Sequence, residues 1–193
     1  MPMRVLFVPY REKGSSDPKM LPRWKRRWVW RNDARNSALG ELAKGFAMKP
    51  KRTLAALVVD EDFVKLPRRS ELKVLLLAET AEHADRLSEF CPDWRVDSVR
   101  PQPDGDFLDP PARRIATLTH AYEYGPCAHV VVRATGGTGK LFEGWSYEYS
   151  AAQPLLIVDL DDATPVRPAR EAADRRREYR EMKLRIAPAV PRG

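Results

Sequence analysis

An α/β fold, three layers deep with a largely parallel sheet between helices, is predicted for this chain by two observations. Short runs rich in Val, Leu and Ile recur at 74–77, 115–118, 130–132 and 154–160, the mark of strands buried on both faces. Stretches of helical period alternate with them from Asn32 onward, as expected where helices cover a parallel sheet. At 193 residues the chain is long enough to bury a real core, and one domain with extra ends is the expected organisation.

Residues 1–31 read as a leader. The run RVLFV at 4–8 suits a short strand, and Gly14-Ser15-Ser16-Asp17-Pro18 suits a turn or link. A basic run follows at 23–31, RWKRRWVWR, with Trp24, Trp28 and Trp30 among the cations. From Asn32 the pattern changes: Ala34, Ala38, Leu39, Leu42, Ala43 and Phe46 fall on one helical face. Asn32 or Asp33 is placed to cap that helix, and Lys49-Pro50 should end it. The stretch 54–66 stays open between a strand and a short buried helix, because a short apolar run does not separate the two.

Residues 67–70 read as a loop and 74–77 as a buried strand. Ala78-Glu79-Thr80 leads into an amphipathic helix over 81–90, closed by Pro92. A strand is expected at 95–99 and a proline-rich loop at 101–111. The central unit 114–140 holds strands at 115–118 and 130–132, separated by the break Gly125-Pro126, then a Thr/Gly-rich loop. The strand at 154–160 ends in Asp161-Asp162, a link spans 163–168, and a charged helix is expected over 170–186. The expected divisions are thus a leader at 1–31, a core at 32–165 and a helical tail at 166–193.

Formal charge is +7, which favours polyanionic partners. Within the leader, Trp24, Arg26 and Arg27 suit stacking on bases and contact with phosphates of a single strand. The alternative is that the tryptophans dock the leader on its own domain, since buried aromatics usually serve cores. Two cysteines and three histidines, without metal-ligand or redox spacing, argue against a structural zinc site and fit reduced, cytoplasmic thiols. No apolar run approaches the length of a membrane span.

After the strand at 130–132 the chain reads Ala134-Thr135-Gly136-Gly137-Thr138-Gly139-Lys140-Leu141. A phosphate-binding loop of the Walker A kind has the pattern G-x-x-x-x-G-K-[ST]. Gly139 and Lys140 fit it, which makes them candidate nucleotide-binding residues, with Asp159 and Asp161 as a would-be acidic motif. Ala134 and Leu141 depart from the pattern, and Phe142-Glu143-Gly144-Trp145 leaves little room for the helix that should follow.

In order along the chain, several segments resemble the C-terminal RecA-like lobe of superfamily 2 (DEAD/DEAH-type) helicases and translocases. NDARNSALGELAKGFA at 32–47 looks like the helix that opens the lobe, with Arg35-Asn36 as its Arg-Asn pair. KVLLLAETAEHADRL at 73–87 resembles the unit carrying motif IV, and RIATLTHAYEYG at 114–125 resembles motif V. CAHVVVRATGG at 127–137 resembles the strand that leads toward motif VI.

The resemblance implies that loops at the C-terminal ends of the strands meet the phosphates of a nucleic-acid strand, DNA or RNA. Thr80, Thr117 and Thr119 would touch that backbone, with Thr135, Gly136 and Gly137 offering close backbone approach and His83 opening the motif IV helix. Turn and cap roles are the alternative for the threonines. Motif VI normally presents arginines in a pattern like Q-x-x-G-R-x-x-R, yet no arginine stands between Arg133 and Arg167. The first lobe, with its phosphate loop and magnesium site, is absent. The expectation is therefore nucleic-acid binding without autonomous ATPase activity. ATP and magnesium would be held only with a complementary lobe in another chain. A non-catalytic scaffold or interaction protein is the alternative, and an independent nucleotide binder the third reading.

Overall fold

A computed structural model of the chain describes residues 3–11, 24–58, 63–97, 112–118, 128–137, 156–163 and 166–188. The apolar runs become strands β2 (Val74–Ala78), β4 (Arg113–Thr117), β5 (Val130–Arg133) and β6 (Leu156–Asp162). Three further strands complete the sheet: β1 (Arg4–Tyr10), β3 (Arg95–Asp97) and β7 (Arg185–Pro188). Their spatial order is β3-β4-β2-β5-β6-β1-β7, and every pairing is parallel.

Alternate side chains along each strand divide the core into two layers, because successive residues point to opposite faces. Leu6, Val8, Val74, Leu76, Val132 and Val158 join one cluster with Leu39, Ala43, Phe46, Ala84 and Leu87. Those last five come from α1 (Asp33–Met48) and α3 (Ala81–Phe90), so both helices cover that face. The short helix α2 (Pro50–Leu57) adds the partly buried Leu54 and Leu57. Val5, Phe7, Leu75, Leu77 and Val131 face the other way, where α4 (Val166–Glu181) lays Tyr179 over them. The Tyr179 and Phe7 rings are tilted at 57° with centroids 5.8 Å apart. The three-layer α/β fold is as the sequence predicts, with the sheet wholly rather than largely parallel among the described residues.

Of the stretch 54–66, residues 54–57 form the end of α2, with Pro50 opening that helix where its missing N–H costs nothing, and 59–62 lie outside the described residues. Phe63 and Val64 lie buried beyond it.

The two ends of the chain differ from expectation in extent, although the terminal helix does begin at Val166. Residues 4–10 form β1, hydrogen-bonded between β6 and β7, so this part of the leader belongs to the sheet. The charged helix stops at Glu181 instead of reaching 186. Lys183 N–H bonds the Arg180 carbonyl and Leu184 N–H bonds the Tyr179 carbonyl, a pattern that turns the chain out of the helix and into β7. Lys183 occupies the left-handed position of that turn with φ of 57°. Since a Cβ is disfavoured there, Lys183→Gly is expected to stabilise the domain by about 1 kcal/mol, read as a higher urea midpoint at unchanged slope.

Candidate nucleic-acid interface at the strand-end rim

Because the strands are parallel, their C-terminal ends share one rim. Ala78 is paired with Thr117 across β2 and β4, and Ala134 N–H bonds the Leu77 carbonyl across β5 and β2. The loops Glu79-Thr80 and 134–137 therefore leave the sheet side by side. Thr119, Gly139 and Lys140 lie outside the described residues.

The threonines at this rim face inward or cap. Thr80 Oγ1 accepts from His83 N at 3.2 Å, the bond that starts α3. Thr117 is only 5% exposed. Thr135 is buried and its Oγ1 accepts from Arg133 Nε at 2.8 Å, so its hydroxyl is turned away from any phosphate. Of the two glycines of the loop, Gly136 is half-buried and Gly137 is buried. Gly137 has φ of +93°, a conformation that an L side chain resists.

His83 also differs from its expected place. It is fully buried, with Glu79 N–H donating to Nδ1 at 3.4 Å and Nε2 3.2 Å from Asn36 Oδ1. The first bond leaves the proton on Nε2, which donates to Asn36. Burial, with the nearby Arg35 charge, lowers its pKa to about 3. His83 thus ties the rim to α1 and is out of reach of a phosphate.

The leader cations lie against the same rim. A π-helical turn, Arg26–Trp30, closes with Arg31 N–H on the Arg26 carbonyl at 2.9 Å. Lys25 Nζ bonds Glu79 Oε1 at 2.6 Å, and Trp30 Nε1 donates to Glu79 Oε2 at 3.3 Å. Arg26 and Arg31 both pair with Glu82 Oε1, at 3.0 and 2.6 Å. The Arg31 and Arg26 guanidinium groups hold the Glu82 carboxyl below its usual range. Val29 is the buried residue of the turn and sits on Gly136, where an added Cβ would stand 2.8 Å from Val29 Cγ2. Docking on the chain's own domain is therefore the role these segments show for Trp30, while Arg26 already has a carboxylate partner. Arg27 remains exposed, with its guanidinium 5.4 Å from the Trp28 ring centroid.

Behind the rim runs a buried ionic network that the sequence reading missed. Arg133 donates to Tyr179 Oη at 2.9 Å and to the Gly137 carbonyl at 3.1 Å. Tyr179 Oη donates to Asp159 Oδ2 at 3.0 Å, and Arg175 Nε reaches the same oxygen at 2.9 Å. Arg175 also bonds the Leu160 carbonyl and Asp162, while Arg35 joins Asp162 at 3.1 Å and the Ala134 carbonyl at 2.7 Å. Burial opposes the charged form of Arg175, but Asp159 and Asp162 outweigh it and its pKa stands above the ordinary value. Burial likewise raises that of Tyr179, so the phenol keeps its proton for Asp159. Asp159 Oδ2 is held by Arg175, and Asp161 pairs with Arg176.

A sequence signal for this network existed. Ala172, Arg175 and Tyr179 share one helical face, and Asp159 interrupts an apolar strand.

Among the described residues no helix is long and apolar enough to cross a membrane. No family model and no curated protein sequence matches the chain. The crystal structure of T4 UvsW is similar over 96% of this chain, with a TM-score of 0.60 and 12% sequence identity. The chain spans 41% of the length of that protein. At this identity the likeness speaks for the fold alone, an all-parallel α/β sheet of RecA-like kind between helices.

Proposed function

We propose that the chain is a helicase C-terminal-type lobe that binds nucleic acid along the strand-end rim and lacks ATPase activity by itself. One observation carries this reading. The ends of β2, β4 and β5 bring Thr80, Thr117 and the Gly136-Gly137 loop to one edge, where an α/β sheet places its ligands. The net charge of +7 suits a polyanion there. A second, nucleotide-binding lobe in another chain would complete the motor, and ATP and magnesium would enter only at that junction. Supporting the lack of autonomous chemistry, Asp159 is buried and its Oδ2 accepts from both Arg175 and Tyr179. A non-catalytic interaction role is the second reading, favoured by the docking of residues 24–31 over the same rim.

Fluorescence anisotropy with a single-stranded oligonucleotide tests the first reading. Affinity should fall steeply as salt rises. Arg27→Ala should weaken binding several-fold and reduce the logarithmic salt slope by about 0.7, one phosphate contact on a single strand. Salt-independent affinity, or none, would support the scaffold role. Hydrolysis of ATP by the chain alone would refute the absence of autonomous activity.

A further inference from the structure

The rim assigned to nucleic acid is covered by the chain itself. Val29 is 2% exposed and packs on Gly136, while Lys25 Nζ lies 2.8 Å from where a Cβ on Gly137 would stand. A phosphate does not reach the backbone of either glycine while these side chains are in place. We propose that residues 24–31 form a strap that closes the rim and is released when nucleic acid binds. The inference rests on the nucleic-acid reading above and adds the regulation of that site.

The attachments of the strap suit release. Three of its cations are held by two carboxylates, Lys25 by Glu79 and both Arg26 and Arg31 by Glu82. The two pairs to Glu82 are more than a third exposed on the arginine side, at 37% and 54%, so salt screens them and each holds weakly. Only Val29 contributes a buried apolar side chain. A polyanion competes for these same cations, offering phosphates in exchange for Glu79 and Glu82, so its approach loosens the strap it must displace. The join to α1 is made by Arg31 and Asn32, both outside helical geometry with ψ of 15° and 95°, which gives the strap a place to turn. Asn32 Nδ2 to the Trp28 carbonyl and Asn36 Nδ2 to the Trp30 carbonyl hold its base at 3.3 and 2.9 Å.

The test uses the full chain with Val29→Cys in a Cys127→Ser background, leaving Cys91 as the internal reference. Cys91 is 1% exposed and packed in the core, so it reacts with a thiol reagent only when the domain opens. The introduced thiol is expected to react roughly tenfold or more faster than Cys91, as a locally opening segment does. Its rate should rise between about 50 and 500 mM salt as the ion pairs are screened. An excess of single-stranded oligonucleotide should raise it further at low salt, with Cys91 unaffected. Equal rates for the two thiols at every salt concentration would show that the strap opens only with the whole domain, and would overturn the proposal. So would an oligonucleotide that binds yet slows the introduced thiol, since residue 29 would then stay seated on Gly136 in the bound state.

If neither this variant nor the parent binds an oligonucleotide, the nucleic-acid reading fails and the ligand assigned to the strap with it. The two thiol rates without ligand still decide whether residues 24–31 open. As a second variant, Val29→Ala trims the one buried apolar anchor of the strap without touching the rim, and should raise oligonucleotide affinity several-fold by freeing the strap. Unchanged or weaker binding would count against the closure.

Discussion

Arg175→Met is expected to lower the thermal midpoint by roughly 10 °C, from a loss of about 3–5 kcal/mol in a chain of this size. Arg175 and Asp159 are both completely buried, and Asp162 is 4% exposed. Methionine has the volume to fill the site but no charge. The substitution therefore leaves Asp159 with Tyr179 as its remaining partner among the described residues, and Asp162 with Arg35. Stranding a carboxylate in the interior costs far more than the ion pair contributes over a well-packed apolar substitute. A second change separates the two effects: Asp159→Asn removes the stranded charge while its amide oxygen still accepts from Tyr179. The double variant should regain roughly 1 kcal/mol or more over Arg175→Met alone, a coupling measured by urea denaturation of all four proteins. Strictly additive losses would mean that the two groups do not interact as their 2.9 Å separation implies.

The same residues show where the sequence is legible and where it is not. Strands β2, β4, β5 and β6 stand out because a strand buried on both faces has no polar alternation to blur it. Helix α3 is bounded correctly by its Thr80 cap and by Pro92, both local signals. Strand β1 reads as part of a leader because its partners, Leu156–Asp162 and Arg185–Pro188, lie about 150 and about 180 residues further along the chain. No local pattern reports a pairing of that range. The inward turn of His83 and Thr135 fails for the same reason. Histidine and threonine near a strand end look alike whether they face solvent or a buried asparagine and arginine. The docking of the leader was open in the sequence, since tryptophans among arginines suit bases and cores equally. Glu79 and Glu82, the carboxylates that hold the strap, look like an ordinary loop acid and an ordinary first-turn acid of α3 until the fold sets Lys25, Arg26 and Arg31 against them.

His83 should make the acid limb of the stability curve steep. Its folded pKa of about 3 lies below the ordinary 6.5, lowered first by burial and then by Arg35. Between those values the unfolded chain binds a proton that the folded chain refuses. Stability therefore falls as pH falls through this window, by about 1.4 kcal/mol per unit from this one group, and is unaffected by it above the window. Protonation would also place a donor on Nδ1 facing the Glu79 N–H, two donors in opposition. His129, lowered by burial and then by Lys73, titrates in the same direction, so the parent curve alone does not isolate His83. His83→Gln does: its amide can accept from Glu79 and donate to Asn36 but does not titrate. The variant should be less stable than the parent at pH 7, and the gap should shrink by about 0.7 kcal/mol from pH 7 to 6 and by about 1.2 kcal/mol from pH 6 to 5. Parallel curves from denaturation at pH 7, 6 and 5 would show that the imidazole is not held neutral.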